Sequence, residues 1–319
     1  MEQDLITAIW PQVILPIIRI TLFITLGLFI ANFIESLNWT HRLAVFARPL
    51  MRIGRLSAVT GASFSVAFFS GVSANTMLAE AFDKGQMTRK ELILANLFNS
   101  LPRFFLHLPT VFFLTAPLIK MGAILYVGLT FSAAILQTVL VVLAGRMLLP
   151  ANDGGCATAL PQQGKTGWKD AVKKSIRRLK KRIVKIMCFM IPVYLLFFLF
   201  NRYGLFTAVE GFIAEKAWFL SWLNPQSLGI VVLHVTAEFS AGLAAAGALL
   251  AANSLTVKEV VLALLVGNIL STPIRAIRHQ LPYYTGIYSP QLALQLVGIS
   301  QMARALCVIL VTVGYYHLA

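Results

Sequence analysis

Two arginine–histidine pairs stand out in a chain otherwise poor in charge: Arg103 with His107 and Arg275 with His279, each four residues apart. Each arginine closely follows a proline, Pro102 or Pro273, and each pair runs on to Leu-Pro, at Leu108–Pro109 and Leu281–Pro282. Ionisable groups inside apolar segments cost about 2.5–3.5 kcal/mol each on insertion scales, so by default they mark function or pairing. A guanidinium fork matches carboxylate or phosphate better than it matches a metal ion. If the two forks converge, the expected ligand is a small anionic or phosphorylated solute. In the plainer reading, each arginine snorkels to the interface or caps nearby carbonyls.

Other polar residues in apolar surroundings widen the choice. His234 and Glu238 lie four apart on one helix face. They read either as a proton-coupling pair, because histidine titrates near neutral pH, or as an ion pair in which Glu238 balances Arg275 or Arg278. Asn75, Asn96, Asn99 and Asn268 offer the neutral hydrogen bonds that a nucleoside base or ribose uses. The same side chains also join helices in lipid. Tyr283, Tyr284 and Tyr288 read as an interfacial aromatic belt. His107, His234, Glu238, His279 and Met77 could ligate a divalent ion, but no local spacing demands one and the arginines would repel it. No metal site and no cofactor is expected. Cys156, Cys188 and Cys307 are far apart and lack ligand spacing. No nucleophile with its base and no HExxH motif is recognisable, so an enzyme is not expected.

The elements that position these residues must be membrane helices. Of 319 residues 58% are hydrophobic and 12% charged, against about 25% charged in soluble domains, and the mean hydropathy is +0.78. The net charge of +15 would suggest nucleic acid on a soluble protein. Here it concentrates between Lys165 and Lys185, immediately before an apolar span, as the positive-inside rule expects of a cytoplasmic loop. Such a segment also holds anionic lipid headgroups, and no nucleic-acid partner is expected. The opening MEQDLITAIW is acidic, so the first apolar stretch reads as a retained span rather than a signal peptide.

That first span runs from about Val13 to Ile34, followed by Arg42, Arg48, Arg52 and Arg55, which place its far end inside and the N-terminus outside. The stretch from Ser57 to Asp83, with Gly61, Gly71, five serines and Asn75, breaks into two short apolar pieces, as a re-entrant or broken helix does. Thr88 with Glu91 predicts a capping box opening a helix through about Ser100, which Pro102 should end. Apolar segments Phe104–Ile119 and Gly122–Leu148 follow. A Gly-, Pro-, Gln- and Asn-rich linker from Pro150 to Gly167 leads into a basic amphipathic helix from Trp168 and a span at Ile186–Phe200. The chain then offers a small-residue-rich segment from Leu228 to Ala252, a helix from Thr256, a break at Pro273 and a last span from about Leu292 to Tyr316.

The two descriptions match letter by letter. Thr88, Lys90, Glu91, Leu94, Ala95 and Leu97 recur as Thr256, Lys258, Glu259, Leu262, Ala263 and Leu265. Phe69–Ser70 recurs as Phe239–Ser240 and Pro16 as Pro192. The expected architecture is all-α and polytopic, with halves 1–149 and 184–319 joined by a linker and basic helix at 150–183. An outside N-terminus and an inside linker make the first half cross an odd number of times. The halves would then be inverted-topology repeats whose broken helices meet at a midplane site.

The sequence Asn-Ser-Leu-Pro-Arg-x-x-x-His-Leu-Pro (Asn99 to Pro109), echoed as Pro-Ile-Arg-x-x-x-His-x-Leu-Pro-Tyr-Tyr (Pro273 to Tyr284), resembles the Gate domain. This domain is shared by nucleoside-transporter-like "nucleoside recognition" proteins and the membrane part of FeoB-type ferrous-iron transporters. The resemblance covers Gate cores at 57–148 and 228–317 and implies transport of a small solute. The iron transporters carry a cysteine in the gate hairpin and a GTPase domain. The matching hairpins here, around Ser73–Met77 and Leu243–Gly247, have no cysteine, and no GxxxxGK[ST] loop occurs.

The expected function is that of a transporter or permease moving an anionic or nucleoside-like solute through a site made of Arg103, His107, Arg275, His279, Asn75, Asn96, Asn99 and Asn268. The alternatives are a non-transporting membrane subunit of a larger complex and divalent-metal transport. Expected partners are the solute, the bilayer with its anionic headgroups at 165–185, and a second copy or a partner membrane protein. The expected location is the cell (inner) membrane, with the linker 150–185 cytoplasmic.

Overall fold

The computed structural model describes residues 47–68, 70–150, 222–236 and 239–318, with scattered positions between 10 and 29 and between 168 and 195. The expected spans at Val13–Ile34 and Ile186–Phe200 and the linker Pro150–Gly167 lie largely or wholly outside these residues. Among the described residues every regular element is a helix, and the protein is an all-α polytopic membrane protein. Helices α1 (Ala47–Ile53), α2 (Ala58–Ala67), α3 (Gly71–Asp83), α4 (Arg89–Phe98), α5 (Ser100–Ile119) and α6 (Met121–Leu148) belong to the first half. Helices α7 (Pro225–Thr236), α8 (Phe239–Ala251), α9 (Val257–Arg275), α10 (Leu281–Thr285) and α11 (Pro290–Leu318) belong to the second.

Among the described residues, four stretches are long and apolar enough to cross a bilayer: Arg89–Ile119, Met121–Leu148, Val257–Arg275 and Pro290–Leu318. Helices α2, α3, α7 and α8 have 10, 13, 12 and 13 residues, short of the roughly 20 needed to span. They pack as two hairpins, α2 on α3 and α7 on α8. The serines explain the first break. Ser57 caps α2 and Ser70 caps α3, each side chain accepting the backbone N–H three residues on. Ser63 and Ser65 return their hydroxyls to the carbonyls of Thr60 and Gly61, so α2 buries them with their hydrogen bonds made.

The halves repeat down to their turns. Helix α3 ends at left-handed Gly85 (φ 70°) and α8 at left-handed Asn253 (φ 54°), each three residues before a threonine N-cap. In both, the next N–H reaches back five residues, Gln86 to Ala81 and Ser254 to Leu249, closing a Schellman turn. The glutamate after each threonine ties the new helix to the start of its own hairpin. Glu259 completes the capping box with Thr256 and accepts from Asn224 Nδ2 at 2.8 Å. The box expected at Thr88 forms only in half. Thr88 caps the Glu91 N–H, but the Glu91 carboxylate turns to the Ser57 N–H at 3.1 Å and the Thr60 hydroxyl, where the positive end of α2 draws it.

Neither proline acts as expected. Helix α4 stops before Pro102, at Asn99, and Pro102 sits in the first turn of α5, where its missing N–H takes nothing from the helix. Pro273 lies inside α9, which continues to Arg275, and the irregularity moves into a π-helical turn, Ala276–Gln280. Upstream of Pro273 the hydroxyls of Ser271 and Thr272 and the Arg275 fork all donate to the Asn268 carbonyl.

Packing crosses between the halves reciprocally. Helix α6 packs on α9, α11 on α4, and α6 on α11. Hairpin helix α8 lies against α5, so close that a methyl added to Gly247 would come within 3.3 Å of Leu118 atoms. In return, Leu78 and Ala79 of α3 share a core cluster with Tyr284, Tyr288 and Leu292. Arg89 of α4 donates to Gln295 of α11 at 2.8 Å.

Candidate functional site

The buried polar residues gather in two networks, each anchored by an asparagine and the arginine seven residues later. In the first, Asn96 is fully buried where α4 faces α3 and α10. Its Nδ2 donates to Asn75 Oδ1 at 3.0 Å and to the Tyr284 hydroxyl at 2.9 Å. Arg103, one turn into α5, folds back over the α4–α5 break. Its Nε donates to the Asn99 carbonyl, Nη2 to the Asn96 carbonyl and Nη1 to the Tyr284 hydroxyl at 3.2 Å. Tyr288 donates to the Asn75 carbonyl and Asn99 to Ser63 Oγ.

The second network has the same plan. Asn268 donates from Nδ2 to the Tyr126 hydroxyl at 3.1 Å, while Arg275 Nη2 donates to the Asn268 carbonyl and to its Oδ1 at 2.7 Å. Tyr126 is buried and stacks on Phe239, with ring centroids 5.7 Å apart. The tyrosines cross between the halves: Tyr284 comes from the second half to the first-half asparagine, and Tyr126 from the first half to the second-half asparagine. Each network is incomplete without the other half.

His234 adjoins the second network. It is 3% exposed and wedged against Gly242 and Gly267, where a methyl on either glycine would approach its side chain within 2.8 Å. Neither ring nitrogen has a hydrogen-bond partner among the described residues, and the ring lies within electrostatic range of Arg275. Glu238, its expected partner, lies outside the described residues. The Asn99 side-chain oxygen and the Ser100 hydroxyl are also buried without hydrogen-bond partners among the described residues.

The structure thus brings Arg103, Asn75, Asn96 and Asn99 together, and separately Arg275, Asn268 and the neighbourhood of His234. His107 and His279 are exposed, whereas the amides beside the arginines are buried. Part of each arginine fork caps backbone carbonyls, as the plainer reading had it. Tyr284 and Tyr288 do not form the expected interfacial belt. They are 0% and 6% exposed because their hydroxyls satisfy buried polar groups. The Tyr283 side chain lies outside the described residues. Among those residues no three His, Cys, Asp or Glu side chains cluster as metal ligands would.

One arginine escaped the sequence reading. Arg304 stands at the midpoint of the 29-residue α11, within electrostatic range of Arg275, Tyr126 and Arg103. The available signal was a lone arginine in the middle of the last apolar span. Unlike Arg103 and Arg275, it has no counterpart in the other half. The arrangement concentrates positive charge and neutral donors between the halves, and that chemistry suits an anion.

No family model matches the chain, and no solved structure matches it. It is similar along nearly its whole length to uncharacterized proteins of Methanocaldococcus jannaschii. MJ0871 is 28% identical over 301 residues, covering 93% of this chain and 92% of that protein. MJ1556 is 26% identical, with 88% of each covered, and MJ0880 is 24% identical over 92% of this chain and 96% of that protein.

Proposed function

We propose that this membrane protein is a transporter or permease for a small anionic solute, which passes between the two halves. The observation that carries this is the reciprocal pair of networks. Arg103 and Arg275 each anchor a network in one half, Arg304 lies within electrostatic range of both, and the tyrosines completing each network cross from the opposite half. A site assembled from two half-sites can open on one side while the other stays closed, which suits broken hairpins and inverted repeats. The same arginines disfavour a metal cation as cargo. The shared order of hairpin, short helix and Pro-Arg-His segments supports kinship with the Gate-domain membrane proteins. The arginines after the first span and the basic run at 165–185 support an outside N-terminus and a cytoplasmic linker in a cell membrane.

Purified protein in liposomes tests this by exchange of labelled phosphate, sulfate or organic acids. Exchange above protein-free liposomes is expected, with at least about a tenfold loss in Arg275→Gln, because one charge-assisted contact to the solute is worth roughly a factor of ten or more. Folded protein that exchanges none of these anions would overturn the transport reading in favour of a membrane subunit acting within a complex.

A further inference from the structure

The two networks use their arginines unequally. All three nitrogens of the Arg103 fork donate to protein: to two carbonyls and to Tyr284. Arg275 commits only Nη2 among the described residues. Arg304 commits nothing to them, by hydrogen bond or ion pair, although it sits halfway along a membrane-length helix. Its side chain is exposed, yet it lies within electrostatic range of residues on α5, α6 and α9. Helix α11 packs against α6 and α9, which brings Arg304 into the neighbourhood of Arg275 while its side chain keeps exposed surface for a ligand. Uncompensated guanidinium groups held together in low dielectric repel each other, and a bound anion removes that repulsion. His234, more than nine-tenths buried and without a partner on either nitrogen among the described residues, stands within reach of the same field.

We propose that Arg304 and Arg275 form the recognition site for a doubly charged tetrahedral oxoanion, the chemistry of sulfate, phosphate or a phosphate monoester. Arg103 is the latch that holds the α4–α5 break. The site rests on the anion-transport reading and narrows it. A dianion cancels both uncommitted charges, whereas a monocarboxylate leaves one standing. Four oxygens also let two forks bind along different edges, which a carboxylate cannot offer.

The full-length protein in detergent, at fixed pH and ionic strength, provides the test through its unfolding midpoint against sulfate, phosphate and acetate. Sulfate and phosphate are expected to raise the midpoint at concentrations where acetate does not. Arg304→Gln is expected to melt higher than the parent without ligand, since it removes a repelling charge, and to lose about 10- to 100-fold in sulfate affinity. Arg304→Lys, which keeps the charge without the fork, should fall between them. Lys120→Gln, on the exposed turn between α5 and α6, should respond as the parent does. Equal responses to acetate and sulfate, or an undiminished sulfate response in Arg304→Gln, would overturn the site. If Arg304→Gln does not fold, unchanged sulfate affinity in Arg304→Lys overturns it instead. Liposome exchange separates the two levels: Arg304-dependent sulfate binding without flux overturns transport and leaves the site, whereas anion flux indifferent to Arg304→Gln does the reverse.

Discussion

The Tyr284 hydroxyl accepts from Asn96 and from Arg103 at once, and Tyr284 and Asn96 are both fully buried. Phenylalanine there keeps the ring packing but removes an acceptor from the buried Asn96 Nδ2 and from the half-buried Arg103 Nη1, so Tyr284→Phe is expected to destabilise the folded protein by about 1–3 kcal/mol. Tyr126→Phe strands one donor, Asn268 Nδ2, and should fall at the lower end of that range. Denaturant unfolding in detergent measures both. Gly267 offers a different check. An alanine methyl there would come within 2.5 Å of His234 Nδ1, an overpacking expected to cost about 1–3 kcal/mol. His234→Ala in the same chain should recover much of that loss, and the double-mutant cycle reads the recovery as a coupling. Were the two losses simply additive, the wedge would not be what holds the imidazole.

At the scale of elements, each hairpin is held by a glutamate at the start of the next helix. Glu91 is nearly buried and Glu259 only half so, with its own capping box to hold it. Glu91→Gln should therefore destabilise by about 1–2 kcal/mol, through the weakened bond to the Ser57 N–H and the lost charge at the α2 terminus. Glu259→Gln should cost less, and thermal melts of the two variants decide the order. These ties were half legible in the sequence. The threonine–glutamate spacing was plain, but a local pattern does not say that the Glu91 carboxylate leaves its own cap for a helix 34 residues back. The hairpins were legible because their serines and glycines interrupt an apolar run. The prolines misled because a membrane helix surrounded by hydroxyls and an arginine can carry one. In the site, the repeated arginines and asparagines were visible through their spacing. The tyrosines that complete the networks were not, since their partners lie 142 and 188 residues away. Arg304 carries no such spacing signal, because the first half holds no counterpart to it.

Over the whole molecule, the core runs through the boundary between the halves. Residues of α5 and α6 share one apolar cluster with residues of α7, α8 and α9, and the polar networks cross the same boundary. Neither half is expected to be stable in the membrane by itself. Segments 1–149 and 150–319, expressed separately, should each be degraded or aggregate. Expressed together they should co-purify and melt cooperatively, as differential scanning of the complex would show. A first-half segment that purifies as a folded monomer would contradict this.

The crossed tyrosines carry this further. Tyr284 belongs to the short helix before the last span of its half, whereas Tyr126 belongs to the last span itself, so the two are not copies of one another. A chain that began as a duplicated unit pairing with its twin would have drawn both hydroxyls from the same place. Here each half supplies from a different position what the other lacks. Two copies of the first half would lack Tyr284 and two copies of the second would lack Tyr126, so neither pairing could complete a network.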